Sequence, residues 1–158
     1  MKLSSQRLCP ERLHGGVWWD YETKTACPGN KPHLTNPCFR VIPAVASRLA
    51  VALAEEQRPH IEVLRKPSPD ENASFMERDD YRRNVNAITR RTRAAAIVRT
   101  TLVGWTGLED DDGSPIEFSI EKAREILSDL GYTQILEFVE SAAMSVDAAR
   151  EEAEAAKN

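Results

Sequence analysis

The sequence predicts a mainly α-helical domain of about four helices with a short N-terminal β-hairpin. Apolar residues recur at helical spacing in four separate stretches between residues 44 and 146. Two aromatic, β-prone segments occur near the N-terminus and are separated by a loop-like stretch. A chain of 158 residues is long enough for one domain with its own hydrophobic core. We therefore predict a single domain over residues 1–147 and a tail over residues 148–158.

The N-terminal hairpin is predicted over about residues 17–42. Val17 to Tyr21 is rich in aromatic and β-branched residues, and Cys38 to Ile42 is the predicted return strand. Proline, glycine and asparagine between the two indicate a loop. Trp18 and Trp19 point to opposite faces of a strand. We expect one of them in the core, and the other is either covered within the domain or contacts a partner.

Two helices are predicted between the hairpin and the middle of the chain. Pro43 suits the first position of a helix, and the apolar pattern of residues 44–58 continues it. The longest helical pattern covers residues 79–103, where two aspartates suit the positive N-terminal end of the helix. Each stretch therefore predicts a helix with one apolar face.

The long helix carries six arginines, and residues 81–103 include no acidic residue. These arginines are Arg82, Arg83, Arg90, Arg91, Arg93 and Arg99. They either pair with the acidic C-terminal half of this chain, which we favour, or bind an acidic partner protein or nucleic acid. Arg90, Arg91 and Arg93 are our candidates for partner binding.

The net charge of −4 hides an asymmetry along the chain. Residues 1–108 hold 17 Lys and Arg against 11 Asp and Glu, a net of +6. Residues 109–158 hold 4 against 14, a net of −10. Either part can attract an oppositely charged partner, whereas the acidity of the whole chain counts against nucleic acid.

Residues 101–120 form the most distinctive stretch: Thr-Leu-Val-Gly-Trp-Thr-Gly-Leu-Glu-Asp-Asp-Asp-Gly-Ser-Pro-Ile-Glu-Phe-Ser-Ile. The helical pattern stops at Gly104, so a tight loop is predicted next. The dipeptide Asp112-Gly113 favours a turn because glycine adopts positive φ at no steric cost. The acidic run is interpreted as a solvated turn, since an EF-hand calcium loop needs an acidic or amide ligand at the position of Leu108 and a glutamate at the position of Ser119.

Four apolar residues of this stretch are candidate anchors: Trp105, Leu108, Ile116 and Phe118. They have two possible roles. They either pin the flanking helices together, which we favour, or contact a bound partner.

Two further helices and a tail are predicted after the acidic run. Ser119 is the predicted N-cap of a helix whose apolar stripe extends to Leu130. Thr133 begins the last helix, and its apolar pattern continues to Val146. Residues 148–158 have strong helix propensity but no large apolar residue. We predict a helical or disordered tail that is a candidate for ordering on a partner.

Three cysteines and two nearby histidines raise the question of a zinc site. The spacings are Cys9-x4-His14 and Cys27-x5-His33-x4-Cys38, and neither contains the close Cys-x2-Cys pair that structural zinc sites favour. An odd number of cysteines leaves at least one thiol free in a monomer, which fits a reducing compartment. We predict no metal and no cofactor, and zinc is the less favoured alternative.

The sequence contains no motif of a catalytic site. It has no glycine-rich phosphate loop and no nucleophile elbow, and its histidines lie in loop-like contexts without a Ser or Cys partner. We predict that the protein is not an enzyme. No run of about 18 apolar residues and no signal peptide is found, so we expect a cytoplasmic protein without a membrane span.

The order of segments around residues 101–130 carries a resemblance to a known family. A long helix is followed by Gly-Trp-Thr-Gly-Leu at residues 104–108, an acidic turn with glycine, Pro-Ile-Glu-Phe-Ser and a helix ending in Leu-Ser-Asp-Leu. This order resembles the tail assembly chaperones of siphovirus-type bacteriophages and prophages, most clearly over residues 80–145. The Gly-Val-Trp-Trp-Asp-Tyr segment beginning at Gly16 and the Ala/Glu-rich C-terminus are also similar, whereas residues 22–37 are not.

The resemblance implies a non-enzymatic function in virion morphogenesis. Members of that family bind the long helical tape-measure protein, keep it soluble, promote tail-tube assembly around it, and are absent from the mature virion. Many are made in two lengths by ribosomal frameshifting, so the expected partners are the tape-measure protein, tail-tube subunits and a longer form of this chain. The oligomeric state is left open.

Two other functions are kept as alternatives. One is a structural head–tail or tail component of the virion. The other, less favoured, is a small nucleic-acid-binding regulator that uses the Arg82–Arg99 face. The candidate partner-binding residues are Trp18, Trp19, Arg90, Arg91, Arg93, Trp105, Leu108, Ile116 and Phe118.

Overall fold

The computed structural model describes residues 15–145, which form an antiparallel sheet packed against helices. The strands are β1 (Val17–Asp20), β2 (Thr25–Ala26), β3 (Cys38–Val41) and β4 (Leu102–Thr106). The helices are α1 (Ala46–Gln57), α2 (Ile61–Arg65), α3 (Phe75–Thr100), α4 (Ile120–Ser128) and α5 (Thr133–Met144). Short 3-10 turns lie at Pro28–Asn30, Arg58–His60 and Leu130–Tyr132.

The predicted mainly α-helical fold with a two-stranded hairpin is wrong. The described residues form a mixed α/β fold in which helices dominate and the sheet has four antiparallel strands, in the order β2-β1-β3-β4. The predicted helix over 79–103 ends at Thr100, and Leu102–Thr106 forms β4, where the end of that helix and the start of a loop were expected. The free edge of β3 leaves backbone groups to be paired, and pairing with β4 satisfies them.

The two predicted N-terminal strands are confirmed, and they pair antiparallel as β1 and β3. Trp19 lies opposite Phe39, and Phe39 lies opposite Trp105 on the next strand. These three aromatic residues form a buried row on the face that packs against the helices. The pairing of β3 with β4 changes register between Arg40 and Val41, as it does at a β-bulge.

The core lies between this sheet face and the apolar faces of α3, α4 and α5. Its helical contributors include Ala94, Ile97, Val98, Ala123, Leu127, Leu136 and Val139. The apolar spacing that predicted these helices therefore marks the buried faces correctly. The two ends of the predicted α4 stripe are exceptions. Ile120 is 53% exposed at the first position of α4, and Leu130 is 71% exposed in a 3-10 turn because α4 has already ended at Ser128.

Two helix starts differ from the prediction. The long helix begins at Phe75 because Ser74 and Glu77 form a capping box there. The first helix begins at Ala46, so Pro43 precedes it. The predicted N-cap at Ser119 is confirmed, since its hydroxyl accepts a hydrogen bond from the Lys122 N–H at 3.0 Å.

Several predictions concern residues outside the described range. They include the ligand candidates Cys9 and His14, the end of the last helical pattern at Val146, and the tail over residues 148–158.

Candidate functional site

The chain turns sharply after β4 at Gly107. The φ of Gly107 is +75°, and a Cβ at this position would lie 3.0 Å from the Asn36 carbonyl oxygen. A glycine is therefore required both for the backbone conformation and for the close approach to residue 36. Beyond the turn, the Ile116 N–H donates to the Leu108 carbonyl at 2.8 Å. The chain thus returns beside itself and brings residue 116 next to residue 108.

Hydrogen bonds fix the acidic tip of this loop. The Asp110 N–H donates to the Ser114 carbonyl at 2.8 Å, and the Gly113 N–H donates to the Asp110 carbonyl at 2.9 Å. The Ser114 N–H donates to the Asp112 carboxylate at 2.9 Å, and this backbone hydrogen bond lowers the pKa of Asp112. The turn predicted at Asp112-Gly113 is confirmed, and the loop holds its charged residues in a defined arrangement.

Trp105 joins this loop to the sheet. Its indole N–H donates to the Ile116 carbonyl at 2.7 Å, and its ring meets the Phe118 ring edge-on at a centroid distance of 4.9 Å. Trp105 is 6% exposed and lies on β4, so its predicted place on a loop is wrong. These contacts pin the loop to the core, whereas the role we favoured for Trp105 was to join the two flanking helices.

An open groove of about 240 Å³ lies between this loop, α4 and the start of α5. We call it the acidic groove. Its apolar lining consists of Leu108, Ile116, Ile126, Tyr132 and Ile135. Its acidic lining consists of Glu109, Asp110, Asp111, Glu125 and Asp129. One lysine, Lys122, also lines it and lies 3.0 Å from the Glu125 carboxylate.

The floor of the acidic groove is continuous with the core. Leu108, Ile116 and Ile135 are half-buried and pack against the core cluster, and Ile126 belongs to that cluster. The five acidic residues are all exposed. The volume is below the range of about 300–1,000 Å³ that is usual for small-molecule pockets. The groove therefore suits a side chain of a partner better than a cofactor.

Sequence reasoning missed most of the acidic groove. It named Leu108 and Ile116, but it treated the acidic run as a solvated turn and assigned no role to Tyr132 or Ile135. The available signal was the spacing of Lys122, Glu125, Ile126 and Asp129, which places these residues on one side of a helix.

The two tryptophans of β1 are not part of the groove. Trp19 is 9% exposed and belongs to the core, as expected for one of the pair. Trp18 is half-buried on the opposite sheet face, where the Arg40 guanidinium lies 5.8 Å from its ring centroid. A role of either residue in partner binding stays a prediction.

Several arginines of the long helix contact residues in the C-terminal part of the chain. Arg93 forms an ion pair with Glu140 on α5, and the Arg90 guanidinium donates to the Asp129 carbonyl at 2.9 Å. Arg91 is exposed and lines a separate cavity. Arg93 therefore follows the favoured expectation of pairing with the acidic C-terminal part of the chain.

Other arginines of this helix also have acidic neighbours, although not in the C-terminal part. Arg99 lies 2.6 Å from Glu55 and 3.2 Å from Glu56, both on α1. Arg82 and Arg83 both pair with Asp79 on their own helix. These ion pairs offset part of the positive charge on this helix, although the Arg82 and Arg83 side chains remain exposed.

A polar cluster surrounds Asp20 at the end of β1, on the sheet face opposite to that of the core residue Trp19. Asp20 is fully buried, accepts a hydrogen bond from the Asn36 amide at 2.9 Å, and pairs with the His33 ring. Its carboxylate also accepts the N–H groups of Glu22 at 2.8 Å and Thr23 at 3.0 Å. Burial raises the pKa of Asp20, but these hydrogen bonds outweigh it and leave the pKa below its ordinary value.

The thiols of Cys27 and Cys38 are buried beside this cluster, with their Sγ atoms 3.7 Å apart. Burial, together with the hydrogen bond to Cys38, raises the pKa of Cys27 to about 12. Among residues 15–145, no group of three or more His, Cys, Asp and Glu side chains is arranged to hold a metal ion. Because Cys9 and His14 lie outside that range, the zinc hypothesis stays a hypothesis.

No helix in the described part of the chain is long and apolar enough to cross a membrane. Comparison with curated proteins and with solved structures gave no significant match. A family model described as YdaY prophage protein matches residues 53–158. This range includes the whole acidic groove and about two thirds of the chain. The chain therefore belongs to the YdaY prophage protein family.

Proposed function

We propose that this prophage protein is a non-enzymatic tail assembly chaperone that binds the tape-measure protein and promotes assembly of the tail tube. The observation that carries the proposal is the acidic groove. One side of the groove is formed by Leu108, the last residue of the Gly-Trp-Thr-Gly-Leu segment, and by the acidic turn that follows it, and the resemblance to tail assembly chaperones rests on these segments.

The way in which this segment is held supports binding rather than catalysis. Trp105 and Gly107 hold the loop in place, and Leu108 and Ile116 supply a fixed apolar floor. A preformed floor lowers the cost of ordering on binding. The exposed carboxylates around it keep the surface charged when no partner is bound.

The proposal is tested by coexpression with the tape-measure protein encoded in the same prophage, followed by size exclusion. We expect the tape-measure protein to be soluble only in the presence of this chain and to elute with it. A tape-measure protein that is equally soluble alone and elutes separately contradicts the proposal. An unrelated helical protein of similar length, coexpressed in the same way, is the control for non-specific association.

Purified virions distinguish a chaperone from a structural component. A chaperone that acts only during assembly is absent from the finished particle, so mass spectrometry of virions is expected to find no peptides of this chain. Stoichiometric amounts of the chain in the particles favour the head–tail or tail component instead.

A further inference from the structure

We propose that the acidic groove binds a basic amphipathic segment of the tape-measure protein, with one Lys or Arg side chain inserted into the groove. This inference rests on the proposed function and names the part of the partner that is recognised.

The apolar lining selects a long aliphatic stem. Leu108, Ile116, Ile126 and Ile135 line the cavity, and Tyr132 at its edge is 49% exposed. Lys and Arg bury their methylene groups against apolar surface while their charged ends stay in a polar environment. Such a side chain matches a groove that is apolar inside and charged at its margin. A small cation alone leaves the apolar lining unused.

The charge of the groove selects a cation over an anion or a neutral group. Five carboxylates line it, and the charge of one of them, Glu125, is offset by Lys122. Four acidic residues then remain to attract a basic partner: Glu109, Asp110, Asp111 and Asp129. Complementary charge speeds association and rejects acidic segments. An acidic or purely apolar segment is therefore disfavoured.

Apolar surface next to the groove offers contacts for the neighbours of the inserted residue. The turn that contributes Tyr132 also carries Leu130, which is 71% exposed. A helix that presents a basic residue flanked by apolar residues can engage both kinds of surface at once. The inferred ligand is therefore amphipathic rather than uniformly basic.

The first experiment measures binding of a synthetic probe. The probe is a fluorescent 18-residue amphipathic peptide of Leu and Lys, and its matched control contains Leu and Glu. We expect the Leu/Lys peptide to bind the full chain, the Leu/Glu peptide not to bind, and the affinity to fall with added salt. Equal binding of the two peptides overturns the inference.

The second experiment locates the binding site. The double variant Asp110→Lys/Asp111→Lys is expected to weaken binding of the Leu/Lys peptide at least about tenfold. The matched control Glu62→Lys/Glu71→Lys alters net charge equally at exposed positions outside the groove and is expected to leave the affinity within about twofold. Equal weakening by both variants overturns the inference. Unchanged circular dichroism spectra and melting temperatures verify that both variants are folded.

Elution with the tape-measure protein separates this inference from the proposed function. Loss of co-elution in Asp110→Lys/Asp111→Lys, but not in the control variant, supports both. Equal co-elution of both variants with the tape-measure protein overturns the role of the groove and leaves the proposed function standing. If the unmodified chain fails to co-elute, the proposed function fails, and the assignment of the groove to this partner fails with it.

Discussion

At the scale of single residues, the burial of Asp20 and the position of Gly107 have the clearest consequences. Asp20 ends β1 and receives hydrogen bonds from two backbone N–H groups and from the Asn36 amide. Gly107 lies close to the same stretch of chain, and a Cβ added at Gly107 would therefore come within 3.0 Å of the Asn36 carbonyl oxygen. Asp20 therefore holds the segment around residue 36 by a hydrogen bond, and Gly107 allows this segment to approach closely.

Replacing Asp20 with Asn is expected to lower the free energy of unfolding at pH 7 by about 2 kcal/mol, because a charged acceptor of several hydrogen bonds is lost. The folded-state pKa of Asp20 is depressed, so its contribution is present above the ordinary carboxyl pKa and is lost as the pH falls through the folded value. The difference between the two proteins should be largest above about pH 5 and should shrink below about pH 4. Urea unfolding between pH 7 and pH 3 measures it. A difference that stays constant over this range contradicts the prediction.

Gly107→Ala is expected to destabilise the protein more than Gly113→Ala. Both glycines have positive φ, at +75° and +82°, so an added Cβ costs about 1–2 kcal/mol at either position. At Gly107 the Cβ also meets the carbonyl oxygen of Asn36, whereas around Gly113 the space is open. Urea unfolding followed by tryptophan fluorescence should show a larger loss for Gly107→Ala by at least about 1 kcal/mol. Equal losses would show that the close contact costs nothing.

At the scale of elements, the caps of α3 and α4 have the same chemistry but different surroundings. The Ser74 hydroxyl accepts the Glu77 N–H at 3.2 Å, and the Ser119 hydroxyl accepts the Lys122 N–H at 3.0 Å. In α3 the fully buried residues begin only at Ile88, more than three turns beyond its cap. In α4 the buried residues begin at Ala123, close to the cap.

Loss of the two caps should therefore have different effects. Ser119→Ala is expected to lower the global free energy of unfolding by about 1 kcal/mol. Ser74→Ala removes a similar interaction, but the first turns of α3 can open without exposing the core. Hydrogen exchange should accelerate in the peptide that begins at residue 75, while the urea midpoint changes little. A large shift of the midpoint in Ser74→Ala would show that the start of α3 is coupled to the core.

At the scale of the whole molecule, the sheet and the helices share one core with Phe39 at its centre. The Phe39 ring is edge-on to Tyr21, Trp105 and Phe138, at centroid distances between 5.8 and 6.4 Å. Phe39 is 1% exposed, so the layers meet at a fully buried side chain. Such a core predicts cooperative unfolding of both layers together.

Phe39→Leu is expected to lower the free energy of unfolding by about 1–2 kcal/mol, since the aromatic contacts and part of the side-chain volume are lost. Tryptophan fluorescence and far-ultraviolet circular dichroism should report the same transition in both proteins. Leu34→Ala is the matched control because Leu34 is fully exposed, and it should leave the midpoint unchanged. Separate transitions for the two probes would contradict a shared core.

The local pattern of the sequence was sufficient for most of the helices and for two strands. Apolar spacing identified the buried faces of α4 and α5, and β-branched and aromatic residues identified β1 and β3. The Asp112-Gly113 turn and the Ser119 cap were also correct, because turns and caps depend on neighbouring residues. The resemblance of the motif around Trp105 to phage tail assembly chaperones is confirmed only in its coarser part, since the chain belongs to a prophage protein family.

Tertiary structure decided what depends on distant residues. Leu102–Thr106 is a strand because β3 offers a free edge some 60 residues earlier in the chain, and a helical pattern cannot reveal that edge. The acidic groove likewise unites side chains from the 108–116 loop with others from α4 and α5. Sequence alone determined where most helices lie, which segments carry charge and that the chain belongs to a prophage protein family. Only the folded chain decided which charges lie together, because long-range packing brings them to one surface.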